Sequence, residues 1–306
     1  MKNQEAMEQM KKTMVMKGFA KSTHKAYLGA VSQLAAFHPV TFEEMGYDHV
    51  REFLLHAIEI RQLSSQYINA AYSGIKLLFE SVLEREWDMK RVPRIKKIRK
   101  FPEILKLEEV MRMINLTTNL KHKAVLAVIY SAGLRVSEAA NLLITDIDSK
   151  SMKIFIRQGK GNKDRYAHLG KLTLEILREY FRKFRPKVWL FQSEMSTHDK
   201  PFPIHTRTIQ NTFQEARIRA GIMKKVTPHS LRHSYATHLV EKGTNLIKVK
   251  DLLGHDKIET TMLYVHLAGK DILDIKSPID YYLEKEEILE AEKCTPEIDD
   301  LEGKNK

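Results

Sequence analysis

The segment TPHSLRHSYATHLV, starting at Thr227, places His229, Arg232, His233 and His238 within ten residues. Three chemistries use such a set: metal ligation, contact with a polyanion, and stabilisation of a phosphate under attack. Thr227-Pro228 is a strong helix start, with threonine as N-cap and proline at the first helical position, where its missing N–H costs nothing. His229 then falls in the first turn, where unpaired backbone N–H groups and the helix dipole favour an anion. Arg232 follows three residues later, about 60° around the helix. One face therefore carries an imidazole and a guanidinium able to grip phosphate in bidentate fashion. His229 and His233 have the i, i+4 spacing of a helical zinc pair, but the glutamate of the HExxH pattern is missing. His238 lies nine residues from His229, about 180° away, and no nearby cysteine or carboxylate motif supplies further ligands. The expectation is a site without metal or other cofactor, with His233 and His238 as packing groups.

Four further pieces of sequence bear on that phosphate hand. YSAGLRVSEAANL sets Arg135 after a glycine helix stop and before a helix expected to start at a Ser137 cap, a position from which an arginine can point into a cleft. GKGNKDR holds Lys160 in a glycine-flanked hairpin turn, with Lys163 as its neighbour and alternative. LLGHDKIETTMLYVH gives His255 directly after Gly254, and Tyr264 nine residues later. Each has an ordinary alternative when taken alone: ion-pair partner, solvated turn lysine, helix C-cap, core aromatic.

In this order and spacing, Arg135, Lys160, His229, Arg232, His255 and Tyr264 resemble the tyrosine recombinase (phage integrase) family. The resemblance is close over residues 103–270 and loose over the helical region before them. The chain looks like the short two-domain members, the Xer-type and mobile-element integrases. This implies that Tyr264 is a nucleophile attacking a DNA phosphate, that Arg135 and Arg232 clamp the non-bridging oxygens, and that His229 assists proton transfer. It further implies that His255 hydrogen-bonds a non-bridging oxygen and that Lys160 is the general acid for the leaving 5′ oxygen. The product would be a 3′-phosphotyrosyl link, which conserves the bond energy, so neither ATP nor a metal is required. Tyr281 and Tyr282 are phenols ranked below Tyr264. The implied partner is double-stranded DNA, bound by a homo- or hetero-tetramer on two duplexes, with no membrane involvement. The helix expected at 278–292 would dock on a neighbouring protomer. Two rival readings stay open at this point: a type IB-like topoisomerase, and a DNA-binding protein without catalysis.

Stepwise changes in pattern define the elements that must position these groups. Residues 1–90 carry apolar residues at helical spacing in about four segments, one of them starting from Ser22 and another from Ser64 or Ser65. They are expected to form a helical bundle, which the family resemblance implies is a SAM-like domain that binds core DNA. The stretch KRVPRIKKIRK has seven basic residues in eleven and no acid. It reads as an exposed linker over 91–102 that can also grip a duplex backbone. Residues 103–277 are expected to form a mixed, mostly helical catalytic domain in which MKIFIRQ and RYAHLG make a hairpin. A C-terminal helix and acidic tail would occupy 278–306. The expected class is mainly α with a small β-hairpin or sheet, an α+β arrangement.

The totals fit. The 306-residue chain is 43% hydrophobic, enough for packed cores, and its formal charge is +12. Residues 284–306 carry nine acids and four lysines, leaving +17 on the preceding chain. Such a surplus attracts polyanions through long-range attraction and counterion release. A single cysteine, Cys294, excludes an internal disulfide framework. The N-terminus lacks the pattern of a signal peptide, and no apolar run is long enough to span a bilayer. These features favour a cytoplasmic protein.

Overall fold

The computed structural model describes residues 3–96, 101–157, 164–197 and 199–268. The chain divides into two compact units, Met1–Lys100 and Phe101–Lys306.

In the first unit four helices, α1 (Asn3–Met16), α2 (Lys21–Phe37), α3 (Tyr47–Glu59) and α4 (Ser65–Ser81), enclose a core that includes Met10, Val31, Leu34, Phe53, Ile75 and Phe79. Ser64 caps α4 by accepting the Tyr67 amide hydrogen at 3.3 Å. Ser22 does not cap α2, which begins at Lys21 behind the extended Ala20. Helices α2 and α4 approach closely because Gly74 has no side chain: a Cβ there would lie 3.0 to 3.2 Å from Tyr27. Beyond α4, Trp87 is buried and donates to Tyr72 Oη at 2.8 Å. The guanidinium groups of Arg91 and Arg94 lie over the rings of Tyr47 and Tyr72.

The second unit is built around α6 (Leu120–Ser131), whose residues 124–129 (AVLAVI) are all buried. A helix apolar on every side must be surrounded, and α6 packs against α8 (Lys171–Phe184) and α10 (Pro228–Glu241), with α5 (Leu107–Leu116) and α9 (Thr206–Arg219) completing the layer. A three-stranded antiparallel sheet, β1 (Ile147–Asp148), β2 (Lys153–Ile156) and β3 (Arg165–His168), flanks this layer. The expected hairpin is β2–β3, paired in register with Ile156 opposite Arg165. Strand β1 is an addition to the expected pattern. The turn with Lys160 and Lys163 falls outside the described residues, as do residues 269–306 with the expected tail helix, Tyr281, Tyr282 and Cys294.

A second, smaller core of Tyr235, Ala236, Val240, Val249, Leu253 and Tyr264 lies between α10, α11 (Leu246–Leu253) and α12 (Ile258–Leu267). Tyr130 of α6 touches both cores of this unit. The fold class is therefore α+β, mostly helical with a small sheet. Among the described residues no helix is long and apolar enough to cross a membrane.

Candidate active site

Arg135 sits at the N-cap of the short helix α7 (Val136–Ala140), in extended backbone conformation. Ser137 lies inside this helix and does not cap it. The cap is supplied by Glu138, whose carboxylate accepts the Arg135 amide hydrogen at 2.8 Å, the reciprocal half of a capping box. The same carboxylate accepts from the Arg135 guanidinium at 2.6 Å. On its other side Arg165, from β3, donates through two nitrogens at 3.0 and 2.9 Å. Arg232 approaches to 3.8 Å. A buried carboxylate, 8% exposed, thus neutralises part of a cluster of three guanidiniums. Burial works to raise its pKa, but the hydrogen bonds and charges of Arg165 and Arg135 outweigh burial and hold it at about 2.

Arg232 is 1% exposed. Its two terminal nitrogens donate to the carbonyls of Gly133 at 2.7 Å and Leu253 at 2.6 Å, tying the end of α6 to the end of α11. Helix ends leave such carbonyls without intrahelical partners, so this guanidinium satisfies buried acceptors while its charge stays in the site. Burial, then the neighbouring Arg135, lowers its pKa to about 10, which leaves it cationic at neutral pH.

Two glycines make these approaches possible. Gly133 has φ +59° and packs under Tyr235, where an added Cβ would meet the ring at 2.5 Å. Gly254 has φ +62°, ends α11, and leaves room for the Arg165 side chain, which a Cβ would meet at 2.8 Å. Arg165 Nε in turn donates to the Leu252 carbonyl at 3.0 Å. His255 follows Gly254 directly, so the left-handed turn of Gly254 sets where the imidazole begins.

Tyr264, on α12, is 2% exposed. Its ring lies nearly parallel to that of His255, with centroids 6.1 Å apart. His255 Nδ1 is 3.0 Å from Thr261 Oγ1, which fixes the imidazole against the first turns of α12. The phenol oxygen is 3.1 Å from His233 Nδ1. His233, expected to be a packing group, therefore contacts the proposed nucleophile. Its ring also meets His229 edge-on at 4.5 Å. His238 does act as scaffold: its Nδ1 is 2.9 Å from Tyr130 Oη, on the far side of α10.

The electrostatics follow from this packing. Burial raises the pKa of Tyr264, against the lowering influence of Arg232 and Arg135. Burial, then Arg232 and Arg135, pushes His255 down to about 3. Burial, then His229 and Arg232, pushes His233 down to about 4. His229 has an exposed edge, yet burial of the rest of the ring, followed by the charges of Arg232 and Arg135, lowers its pKa also. At neutral pH the imidazoles are neutral, and among the described residues the positive charge of the site belongs to its arginines. Such a site can bind an anion at the arginines while presenting a phenol flanked by uncharged imidazoles.

Of the six residues singled out in the sequence, Arg135, His229, Arg232, His255 and Tyr264 gather around α7, α10 and the α11–α12 turn. Lys160 lies outside the described residues. Sequence reasoning missed Glu138, Arg165 and His233. The first had a signal, since a glutamate three residues after a helix start has capping-box spacing. Among the described residues no group of three or more His, Cys, Asp or Glu side chains could hold a metal ion.

Comparisons with known proteins match this architecture. Residues 103–270 match the phage integrase family, and residues 6–89 match the phage integrase N-terminal SAM-like domain. A Sinorhizobium fredii protein named as an integrase/recombinase is 36% identical over 274 residues, covering 89% of this chain and 88% of the relative. A tyrosine recombinase of Thermosipho africanus is 37% identical over 215 residues, covering 69% of this chain and 73% of that protein. Among solved structures, a lambda integrase dimer bound to a core site shares the fold, with a TM-score of 0.71 at 17% identity, covering 89% of this chain and 98% of that one. The chain is a DNA strand-transfer enzyme of the tyrosine recombinase type and belongs to the phage integrase family.

Proposed function

We propose that this recombinase cleaves and rejoins DNA through a 3′-phosphotyrosyl intermediate on Tyr264. The observation that carries the reading is the placement of the Tyr264 phenol between the imidazoles of His233 and His255, beside the guanidinium cluster. In this reading Arg135 and Arg232 hold the non-bridging oxygens of a phosphodiester, where preorganised charge acts most strongly on the pentacoordinate transition state. His255 and His229 supply hydrogen bonds to the same oxygens. The Tyr264 oxygen forms a bond to phosphorus, the bond from phosphorus to the 5′ oxygen breaks, and Lys160 gives that oxygen its proton. A 5′ hydroxyl from a partner strand then reverses the step and releases the tyrosine.

Glu138 and Arg165 position rather than react. Their ion pair fixes the backbone and guanidinium of Arg135 and, through Leu252, the start of the His255 turn. The domain division in this reading is a core-DNA-binding unit before residue 91, a basic linker to 102, a catalytic domain to 277, and a tail that docks on a neighbour in a tetramer on two duplexes. Among proteins of this fold, lambda integrase forms a tetramer bound to a Holliday junction. An enzyme that works on cellular DNA belongs in the cytoplasm.

The test is covalent trapping on nicked duplexes tiling the DNA that flanks the coding region. Wild-type protein should form a denaturant-resistant adduct. Tyr264→Phe should bind the same duplex equally well and form none. Normal trapping by Tyr264→Phe would overturn the reading.

A further inference from the structure

We propose that His233 is the proton acceptor for Tyr264, holding the phenol through Nδ1 and taking its proton as the oxygen–phosphorus bond forms. This rests on the reading of Tyr264 as the nucleophile and deepens it.

The geometry separates the three histidines. His233 Nδ1 faces the phenol oxygen at 3.1 Å, within the heavy-atom reach expected of a general base. His255 presents its ring face to the Tyr264 ring and has Nδ1 at 3.0 Å from Thr261 Oγ1, so that nitrogen is engaged elsewhere. His229 contacts the edge of His233 rather than the phenol, and it is the most exposed of the three. The groups that face His233 are His229 and Arg232 on α10, Tyr264 on α12, and His255 in the turn before α12. None is an anion in the DNA-free site. Burial first, then His229 and Arg232, keeps His233 neutral, and a neutral imidazole with its N–H on Nε2 has a lone pair on Nδ1 to offer. An arriving phosphodiester brings a negative charge that favours the imidazolium.

The proton balance closes over a full cycle. On cleavage the Tyr264 O–H bond breaks, its proton moves to His233 Nδ1, phosphorus bonds to the phenol oxygen, and the 5′ oxygen leaves with the Lys160 proton. On joining, the attacking 5′ hydroxyl returns a proton to Lys160, the phosphotyrosine bond breaks, and the phenol oxygen recovers its proton from His233. His229 is then left to serve the phosphate oxygens.

The experiment measures trapping rates on the same nicked duplexes, with full-length wild type, His233→Ala and His233→Gln, from pH 6 to pH 10. At pH 7 His233→Ala should trap about 100-fold more slowly, the lower end of general-base contributions. Its deficit should narrow as the pH rises toward about 10, where increasing hydroxide can take the proton in place of the imidazole. Added imidazole should accelerate it. His233→Gln retains a hydrogen-bonding amide but no basic nitrogen, and should stay slow at pH 7. Duplex binding by both variants should match wild type. Trapping within twofold of wild type by His233→Ala overturns the proposal, as does a deficit that is independent of pH and of imidazole. Recovery in His233→Gln would also overturn it, by reducing the role to positioning. If His233→Ala does not fold, the glutamine variant carries the pH test. Tyr264→Phe separates this proposal from its premise: when wild type traps and Tyr264→Phe does not, the nucleophile reading stands whatever His233 does. Absence of wild-type trapping overturns both.

Discussion

Replacing Glu138 by glutamine keeps the shape of the side chain but removes the negative charge that pairs with Arg135, Arg165 and Arg232. The size of the effect can be worked from linkage. A carboxyl held at about 2 in the folded state, against 4.5 ordinarily, contributes roughly 3 kcal/mol of stability at neutral pH. An independent expectation for breaking a buried ion pair is about 3–5 kcal/mol, because the remaining charges stay buried without compensation. For a domain of roughly 200 residues each kcal/mol moves the melting temperature by about 2–4 °C, so Glu138→Gln should lower it by about 6–20 °C. The sign with pH is fixed by the depressed folded pKa. The contribution is complete above about pH 5 and is lost as pH falls through 4.5 toward about 2, so the gap between wild type and variant should shrink over that range. The two tryptophans make the assay specific, since Trp87 lies in the first unit and Trp189 in the second. In a Trp87→Phe background, fluorescence-detected urea unfolding reports the catalytic unit alone. A difference under about 1 kcal/mol at pH 7, or one that does not change between pH 5 and pH 2.5, would refute the role given to this carboxylate.

Arg232→Lys should cost about 1–3 kcal/mol, because an ammonium cannot reach both the Gly133 and Leu253 carbonyls and one buried acceptor loses its partner. Trapping should fall at least about 100-fold with it, since one of the two phosphate clamps is displaced; unchanged trapping would remove Arg232 from the site. The histidines predict a second acid transition. His233 at about 4 and His255 at about 3 are depressed below 6.5, so the stability of their neutral forms is complete above about pH 6.5 and is lost as pH falls toward those values. Each should contribute a slope of up to about 1.4 kcal/mol per pH unit between pH 6.5 and its folded pKa, measurable in the same unfolding assay. His233→Gln and His255→Gln should each flatten that slope, and an unaltered slope would show that another group titrates.

Much of this site is legible in the sequence because its parts sit at chain punctuation. Pro228 starts α10, Gly133 ends α6, Gly254 ends α11, and each fixes the neighbouring Arg135, His229 or His255 to a helix terminus. Helical periodicity likewise exposes α4 and α8, whose apolar stripes face their cores. What stays hidden depends on long-range packing. Arg165 reads as the first residue of a strand, and nothing local says that β3 delivers it to a carboxylate 27 residues earlier. His233 has the spacing of a packing residue on α10, and only the return of α12 makes it a partner of Tyr264. Ser137 has the composition of a cap, but Glu138 takes that role because one carboxylate can serve both the helix amide and the guanidinium of Arg135. Strand β1, two residues long, has no periodicity to read.

The central claim is that one phenol, Tyr264, carries the DNA. It is tested most directly by digesting the trapped adduct with protease and nuclease and finding by mass spectrometry which tyrosine retains the nucleotide. The expected result is a 3′-linked nucleotide on the peptide containing Tyr264. A nucleotide on Tyr281 or Tyr282, or attachment through a 5′ phosphate, would contradict it.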